Sequence, residues 1–352
     1  MRKTILKKLK QSQLTGRGGG CFPVYLKWEM VKKAAEKSGA SYVICNASEG
    51  EPGVAKDFYI LNNYPERVID GMKIAINFFI AKKGIIYLNP AYYQKLAPKL
   101  KKSIGKFNIE IFKKPHSAGY IGGEESALLN AIEEKRIGPR LRPPFPVEKG
   151  LFGMPTLVNN VETFYAVSLV FANRYKKEKF YHIDGDCLHE GFYELPENFT
   201  IEKILKTTNN YPDFPFFVQV GGGGAGEVLN SGQLKQIPHG AGSIIIYNLD
   251  KHEPFKLIKN WVNFFSQESC GKCAPCREGT YRLKEILKDK EPDWELFSDL
   301  LDNLSDTAFC GLGCAVPIPI KSFIKNVLPQ MNGKNIKLKN FDKKYICQCF
   351  NN

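Results

Sequence analysis

SYVICNASEGEPG, which occupies residues 41–53, joins an apolar run to a polar turn that contains two glycines and a proline. Ser41 to Cys45 has the length and the β-branched content of a buried strand. Gly84 to Leu88 is a second such run, and a helical pattern from Val68 to Lys82 lies between the two. This order predicts an α/β domain with a largely parallel sheet. The polar half of the quoted stretch then lies at the carboxyl edge of the sheet, where α/β proteins bind ligands.

The sequence changes character twice beyond that domain. Ser126 to Ile132 predicts a helix, and a proline-rich extended segment follows from Pro139 to Pro155. From about Tyr181, short strand patterns surround one helix, Ile201 to Thr207, which is typical of a small α+β unit. From about Phe255 the pattern is helical, with cysteines at both ends of the segment.

The composition favours some classes of protein and excludes others. A chain of 352 residues with 43% hydrophobic residues predicts two or three domains with real cores. The net charge of +14 comes from scattered lysines without a nucleic-acid motif, so we expect a surface that steers an acidic partner and no nucleic-acid function. No secretory signal and no apolar run of membrane-spanning length is visible, so we expect a soluble, cytoplasmic protein without direct membrane insertion.

Ten cysteines in a cytoplasmic protein favour metal or redox roles over disulfides. Cys270, Cys273 and Cys276 are spaced so that three thiols converge on one centre, and Cys310 or Cys314 supplies a fourth from a distance. Four cysteine thiolates are the usual ligand set of a [4Fe–4S] cluster. The alternative is a structural zinc site, although zinc more often takes two separated Cys-x-x-Cys pairs.

Two glycine-rich loops are present. In the loop from Gly16 to Pro23, glycines let backbone N–H groups approach a phosphate or a flat ring, and Phe22 offers a ring for stacking. Arg17 and Lys27 add positive charge there, whereas the alternative is a plain flexible loop. Gly221 to Gly226 fits the G-x-G-x-x-G pattern, but no convincing helix follows. This second loop is therefore predicted to be a structural turn in preference to a dinucleotide site.

Carboxylates and amides recur in the other polar motifs. Gly119 to Ser126 opens a helix with glycines, and such a start binds an anion or a ring. Glu124 and Glu125 in this motif alternatively serve only to complement the helix dipole. Asn159 and Asn160 offer amide donors and acceptors suited to a flavin, and their alternative role is that of a helix cap.

These motifs, taken jointly and in this order along the chain, resemble the FMN- and NADH-binding subunit of respiratory complex I. They also resemble the flavin-carrying beta subunits of NAD-linked hydrogenases and formate dehydrogenases. The ending FCGLGCAVPIP looks more like the hydrogenase branch. The matching stretches are GRGGGCFPVYLKW, CNASEGEPG, GYIGGEESALL, PRLRPPFP, PTLVNNVET and ESCGKCAPCREGT.

The resemblance implies the architecture and the functional residues. It implies a Rossmann-like FMN domain over residues 1–175, a soluble ligand-binding β-grasp domain over 176–252, a helical [4Fe–4S] domain over 253–340 and a tail over 341–352. NADH contacts are implied in the loop from Gly16 to Tyr25, through Gly16, Arg17, Gly18, Gly19 and Phe22, with Phe22 and Phe145 stacking on the adenine. Glu51 and Glu124 are implied to position the nicotinamide, and Tyr120 to lie beside the flavin. The implied flavin-site residues are Lys27, Asn46, Glu49, Gly123, Glu124, Glu125, Asn159, Asn160 and Thr163, and the implied cluster ligands are Cys270, Cys273, Cys276 and Cys310.

The resemblance also implies a function. It is that of an electron-entry protein, which takes hydride from NADH onto FMN and passes single electrons to the cluster. The implied partners are a thioredoxin-like [2Fe–2S] subunit and iron–sulfur carrier, hydrogenase or dehydrogenase subunits. Several residues depart from the family pattern: Cys21 and Tyr25 replace glycines, Ser48 replaces an aspartate, and Met30 replaces an aromatic residue. The alternatives are a flavin and iron–sulfur subunit that no longer uses NADH, and a non-catalytic scaffold with zinc at the cysteines.

Overall fold

The computed structural model describes residues 2–331. Cys347 and Cys349, which the sequence predicts to be ordinary thiols, and the predicted tail over 341–352 lie outside this range. The chain divides into two compact units. Within the described residues, the first comprises residues 2–50 and 55–180, and the second comprises residues 51–54 and 181–331.

A parallel sheet of four strands forms the centre of the first unit, which confirms the predicted α/β architecture. Its spatial order is β3-β2-β1-β4, and β1 pairs with its neighbours in the registers Tyr42↔Lys83 and Tyr42↔Thr156. Because all four strands are parallel, their carboxyl ends lie at one edge of the sheet. The strands are β1 (Tyr42–Ala47), β2 (Lys83–Leu88), β3 (Ile109–Lys113) and β4 (Thr156–Asn160).

Helices cover both faces of this sheet, as a parallel sheet requires. On one face Val43 and Ile86 pack in the larger core with Trp28. On the other face Ile44 and Ile85 pack in a smaller core that includes Leu128. The helices of the unit are α1 (Arg2–Ser12), α2 (Val24–Ser38), α3 (Lys56–Asn63), α4 (Pro65–Phe79), α5 (Pro90–Ile104), α6 (Glu125–Ile132), α7 (Pro146–Lys149) and α8 (Val161–Phe171).

A second, mixed sheet has the order β6-β5-β9-β7-β8. Its β5 and β9 are parallel, whereas β7 is antiparallel to both β8 and β9. The predicted helix Ile201–Thr207 is confirmed as α9. The other elements are β5 (Glu178–Gly185), β6 (Gly191–Pro196), β7 (Phe216–Val220), β8 (Glu227–Asn230), β9 (Ser243–Asn248), α10 (Pro254–Glu268), α11 (Ala274–Ile286), α12 (Trp294–Thr307), α13 (Gly311–Ala315) and α14 (Pro317–Asn326), with short 3-10 helices at His116–Ala118, Ile121–Gly123, Leu151–Gly153, Ser231–Gln233 and Leu328–Gln330.

The predicted bounds of one helix are wrong: both its start and its end lie three residues earlier in the chain than expected. The helix expected over Val68–Lys82 is α4, Pro65–Phe79. It begins at Pro65 because proline is well suited to the first helical position. It ends at Phe79, because the next residue, Ile80, has a left-handed φ of 52° that breaks the helical repeat. Within residues 2–331, no helix combines the length and the apolar character needed to cross a bilayer.

Candidate functional site

The carboxyl edge of the parallel sheet brings together the predicted asparagines. Asn46 at the end of β1 is in register with Asn160 at the end of β4, and Cys45 with Asn159. The Asn46 side-chain amide donates to the Gly123 carbonyl at 2.8 Å. This bond joins the strand-end motif to the motif that opens α6, as expected for two parts of one site.

Glu124 has a structural role at the start of α6. Its Oε2 accepts hydrogen bonds from the amides of Ser126 at 3.0 Å and Ala127 at 2.8 Å, so it caps the helix. Its other oxygen pairs with the Arg142 guanidinium. Glu124 is thus the N-cap of α6, and Arg142 brings a positive charge to the same edge.

Glu125 lies between two cations. Its carboxylate contacts Lys27 Nζ at 2.8 Å and Arg142 Nη2 at 3.5 Å. Burial alone would raise the pKa of Glu125, but Lys27 and Arg142 reverse that effect and hold the pKa below its ordinary value. Lys27 and Glu125, both predicted flavin-site residues, are thus in direct contact.

The first glycine-rich loop folds back on itself. The Gly16 amide donates to the Phe22 carbonyl at 2.9 Å, and the Arg17 amide donates to Thr163 Oγ1 at 2.9 Å. A Cβ built on Gly18 would lie 3.1 Å from Asn160 Cβ, which is tighter than most real contacts. The loop therefore packs closely on the start of α8, with the two predicted flavin-site residues Asn160 and Thr163.

The two predicted aromatic residues have accessible rings. Phe22 is 46% exposed in the loop, and Phe145 is 36% exposed just before α7. The Arg142 guanidinium lies 5.8 Å from the centre of the Phe145 ring. Tyr120 lies beside Gly50, where a Cβ on the glycine would be 3.4 Å from Tyr120 Cα. Exposed rings of this kind are suited to stacking on a base.

Asn159 and Asn160 have different surroundings. Asn160 caps α8 by accepting from the Glu162 amide at 3.0 Å, and its own amide donates to Asp57 Oδ2 at 2.7 Å. Asn159, with its amide oriented to satisfy both neighbours, accepts from Trp28 Nε1 at 3.3 Å and donates to the Val158 carbonyl. Asn160 is thus the N-cap of α8.

Glu49 points to the start of α3. Its carboxylate accepts from the amides of Asp57 at 2.7 Å and Phe58 at 3.0 Å, and from the Tyr92 hydroxyl at 2.9 Å. Burial, together with the negative charge of Asp57, raises the pKa of Glu49 to about 8. A carboxyl group with this pKa exchanges a proton near neutral pH.

A buried charge network next to these residues was not predicted. Lys56 Nζ contacts Asp57 Oδ1 at 2.9 Å, Glu162 Oε2 at 3.2 Å and Asn160 Oδ1 at 3.1 Å. All three charged side chains are almost completely buried. Burial would lower the pKa of Lys56, but Asp57 and Glu162 raise it above its ordinary value. The sequence gives no direct signal for this network, because lysine and carboxylate residues are normally solvated.

Tyr87 provides a test of whether a polar ligand fits this edge. Its hydroxyl is buried and has no hydrogen-bond partner among the described residues. A Cβ built on Gly122 would lie 3.4 Å from that hydroxyl. An unsatisfied buried hydroxyl costs about 1–3 kcal/mol. A bound group with a polar edge, such as a flavin, would satisfy it, so the residues present fit FMN.

The second unit contains Glu51. Its carboxylate is bound by the second glycine-rich loop, which spans residues 221–226. Glu51 Oε1 accepts from the amides of Gly224 at 2.8 Å and Ala225 at 2.9 Å. The Gly223 amide donates to the Pro52 carbonyl at 2.7 Å. Consecutive backbone amides that converge on one oxygen form an anion-binding concavity. The loop is therefore a turn, as predicted, and it also holds a predicted functional carboxylate.

The cysteine thiols influence one another's ionisation. Burial raises the pKa of Cys310 to about 12, amides of Leu312 and Gly313 partly oppose this shift, and Cys270 and Cys276 add to it. The pKa of Cys276 is also raised, chiefly by burial, with smaller effects from Cys273, Cys270 and Cys314. No three His, Cys, Asp or Glu side chains among residues 2–331 have the geometry of a single-ion site. The set of soft sulfur donors fits an iron–sulfur cluster.

Comparisons with known proteins decide the family. Residues 9–169 match the Nuo51 FMN-binding domain, and residues 256–332 match the NADH-ubiquinone oxidoreductase-F iron–sulfur binding region. The F subunit of the NADH-quinone oxidoreductase of Aquifex aeolicus is 33% identical over 88% of this chain and 80% of its own length. The chain belongs to this family. The two matched regions are those that bind FMN and the [4Fe–4S] cluster, so FMN, the cluster and NAD(H) are the cofactors and substrate of the family.

The chain is also similar to subunits of hydrogenases. The NAD-reducing hydrogenase HoxS subunit alpha of Cupriavidus necator is 33% identical over 90% of this chain. A crystal structure of NAD+-reducing [NiFe]-hydrogenase in the H2-reduced state superposes with a TM-score of 0.86 and 30% identity over 97% of this chain. The chain spans 58% of the first protein and 64% of the second.

Proposed function

We propose that this chain is an electron-entry subunit that oxidises NADH, or reduces NAD+, and delivers single electrons to partner subunits. One observation supports this proposal above all. An FMN-binding region and an iron–sulfur binding region occur in one chain, and this chain matches the Aquifex NADH-quinone oxidoreductase protein over 80% of the length of that relative. When bound, FMN supplies the exchange between hydride and single-electron chemistry, and the cluster accepts single electrons.

The residues that would hold FMN are at the carboxyl edge of the parallel sheet. Lys27 and Arg142 place positive charge beside Glu125. Gly122 and Gly123 lack side chains where a Cβ would press on Ala118 and on Ser48, so their backbone packs closely on the strand-end motif. The Tyr87 hydroxyl would donate to the polar edge of the flavin, because it is buried there without another partner among the described residues. The proposed flavin-site residues are Lys27, Asn46, Glu49, Tyr120, Gly123, Glu124, Glu125, Asn159, Asn160 and Thr163.

NADH would be held by the loop from Gly16 to Tyr25 and by Phe145. The rings of Phe22 and Phe145 are accessible for stacking on the adenine. Glu51 would orient the nicotinamide, since two backbone amides fix its carboxylate. A fixed carboxylate aligns a substrate without loss of side-chain freedom on binding.

The electron outlet would be a [4Fe–4S] cluster on Cys270, Cys273, Cys276 and Cys310. Amides of Leu312 and Gly313 favour the thiolate form of Cys310, and hydrogen bonds to cluster sulfurs tune the reduction potential. Partner iron–sulfur subunits would accept the electrons, since the similar proteins are subunits of larger enzymes. We include a thioredoxin-like [2Fe–2S] subunit among these partners.

The test is stopped-flow reduction of the anaerobically reconstituted protein by NADH. We expect the flavin absorbance to bleach after the protein is mixed with NADH in the stopped-flow instrument. In steady-state assays with NADH, we expect a one-electron acceptor to be reduced. Cys270→Ala should abolish reduction of the acceptor while bleaching by NADH persists. A protein that binds neither FMN nor iron after reconstitution would refute the proposal, and zinc in place of iron on metal analysis would support a structural scaffold.

A second candidate function is a flavin and iron–sulfur subunit that does not use NADH. The favouring observation is Cys21, which stands in the dinucleotide loop with a left-handed φ of 47° at a position where the family usually has glycine. A side chain there adds bulk in a conformation that favours glycine. Flavin that is bleached by dithionite but not by NADH would favour this second function.

A further inference from the structure

Lys114 is a buried cation directly after β3. Its side chain is 4% exposed, and its amide donates to the Leu88 carbonyl at 2.9 Å. Lys114 Nζ donates to Ser48 Oγ at 2.8 Å, and Ser48 is 2% exposed. A fully buried lysine is rare, because removing an ammonium from water costs free energy. Lys114 directly follows β3, so this buried cation lies at the carboxyl edge of the sheet, where α/β proteins bind ligands.

Glycine backbones surround the Lys114 side chain. A Cβ built on Gly122 would lie 3.3 Å from Lys114 Cε, and one on Gly50 would lie 3.9 Å from Lys114 Nζ. A Cβ on Gly123 would lie 3.0 Å from Ser48 Oγ, the acceptor of the lysine. The end of Lys114 is thus next to both motifs that the proposed function assigns to the flavin.

Ser48 fixes the position of the ammonium. It holds Lys114 Nζ through a hydroxyl oxygen, and it lies between Asn46 and Glu49, two proposed flavin-site residues. A serine hydroxyl accepts a hydrogen bond without adding a negative charge. An aspartate at position 48, as in the usual family motif, would instead bring a carboxylate to the same ammonium.

We propose that Lys114 is an electrostatic residue of the flavin site that makes bound FMN easier to reduce. This inference rests on the proposed function, because it requires FMN at the Gly122–Gly123 motif. Reduction adds negative charge to the flavin, and a nearby cation in a poorly solvated site stabilises the reduced form more than the oxidised form. Ser48 contributes by holding the cation in place through a hydroxyl, which brings no carboxylate of its own.

The test is a redox titration of the bound flavin in the reconstituted full-length protein. Lys114→Gln should shift the equilibrium between oxidised and reduced flavin about tenfold toward the oxidised form, which is about 30 mV for a two-electron couple. Lys114→Arg keeps the charge and should leave the potential close to that of the parent. Lys113→Gln removes a charge from the adjacent exposed residue and serves as the matched control.

Ser48→Asp provides a second measurement that does not remove the lysine. The added carboxylate should also lower the flavin potential, and this variant decides the question if Lys114→Gln fails to fold or to bind FMN. An unchanged potential in a flavin-loaded Lys114→Gln or Ser48→Asp protein would overturn the inference. A parent protein that binds no FMN would instead overturn the proposed function, so the two failures are distinguishable.

Discussion

Glu51 accepts a hydrogen bond from the Gly224 amide at 2.8 Å, although 173 positions separate the two residues in the sequence. The geometry of the loop depends on glycine at a nearby position. Gly222 has a φ of 140°, and a Cβ built on it would lie 2.2 Å from Glu51 Cγ. Neither this conformation nor this approach is available to a residue with a side chain.

Gly222→Ala should therefore displace the Glu51 carboxylate from its two amide donors. We expect the KM for NADH to rise about tenfold, because a fixed charge-assisted hydrogen-bond partner is lost, while FMN content stays at the parent level. Steady-state kinetics with an artificial acceptor measure this effect. Gly191→Ala is the control, since its nearest neighbours would be 3.8 Å away. Equal KM values in both variants would argue against a role for the loop.

Cys310→Ser and Cys314→Ser form a matched pair that identifies the fourth cluster ligand. Amides of Leu312 and Gly313 favour the thiolate form of Cys310, whereas the Cys314 thiol donates to the Ala308 carbonyl at 3.5 Å. We expect Cys310→Ser to lose or alter the cluster and Cys314→Ser to keep it. Iron and sulfide content and the electron paramagnetic resonance spectrum of the reduced protein measure the outcome. The reverse pattern would assign the ligand to Cys314.

Lys56→Met should destabilise the first unit by about 3–5 kcal/mol, because it leaves Asp57 and Glu162 buried without their shared cation. Urea unfolding followed by the circular dichroism signal measures the change. Lys32→Met removes one partner of a solvent-accessible pair with Glu36 and should cost no more than about 1 kcal/mol. Similar losses in the two variants would show that the buried network adds little.

Glu49 should make stability fall as the pH rises. The pKa of its carboxyl is about 8 in the folded protein against an ordinary value of 4.5. Between these values the folded protein retains a proton that the unfolded chain has released, so rising pH favours unfolding. Glu49→Gln should flatten this dependence of stability on pH. The measurement is the urea concentration at the unfolding midpoint, compared between a pH near 4.5 and a pH near 8. Glu29→Gln, at a more exposed position, should keep the parent slope; a parent-like slope in Glu49→Gln would contradict the assignment.

The sequence was sufficient for the parts of the molecule that repeat a simple pattern. The apolar run before Asn46 identifies a strand end, because side chains after a buried strand must lie at the sheet edge. It was insufficient for Lys56 and Lys114, since the burial of a lysine depends on residues that only the tertiary fold brings near. The contact between Glu51 and the second glycine-rich loop was missed for the same reason: no local pattern records a bond between distant segments.

The four residues from Glu51 to Val54 belong to the second unit although the chain on both sides of them belongs to the first. Within the second unit, the Gly53 carbonyl meets His182 Nδ1 at 3.0 Å and accepts from Ser243 Oγ at 2.9 Å. Neither unit is therefore encoded by one uninterrupted stretch of gene. A recombination event that exchanged everything after Phe180 would leave this short insert facing foreign neighbours, so the two halves of such a protein are expected to be inherited together rather than shuffled.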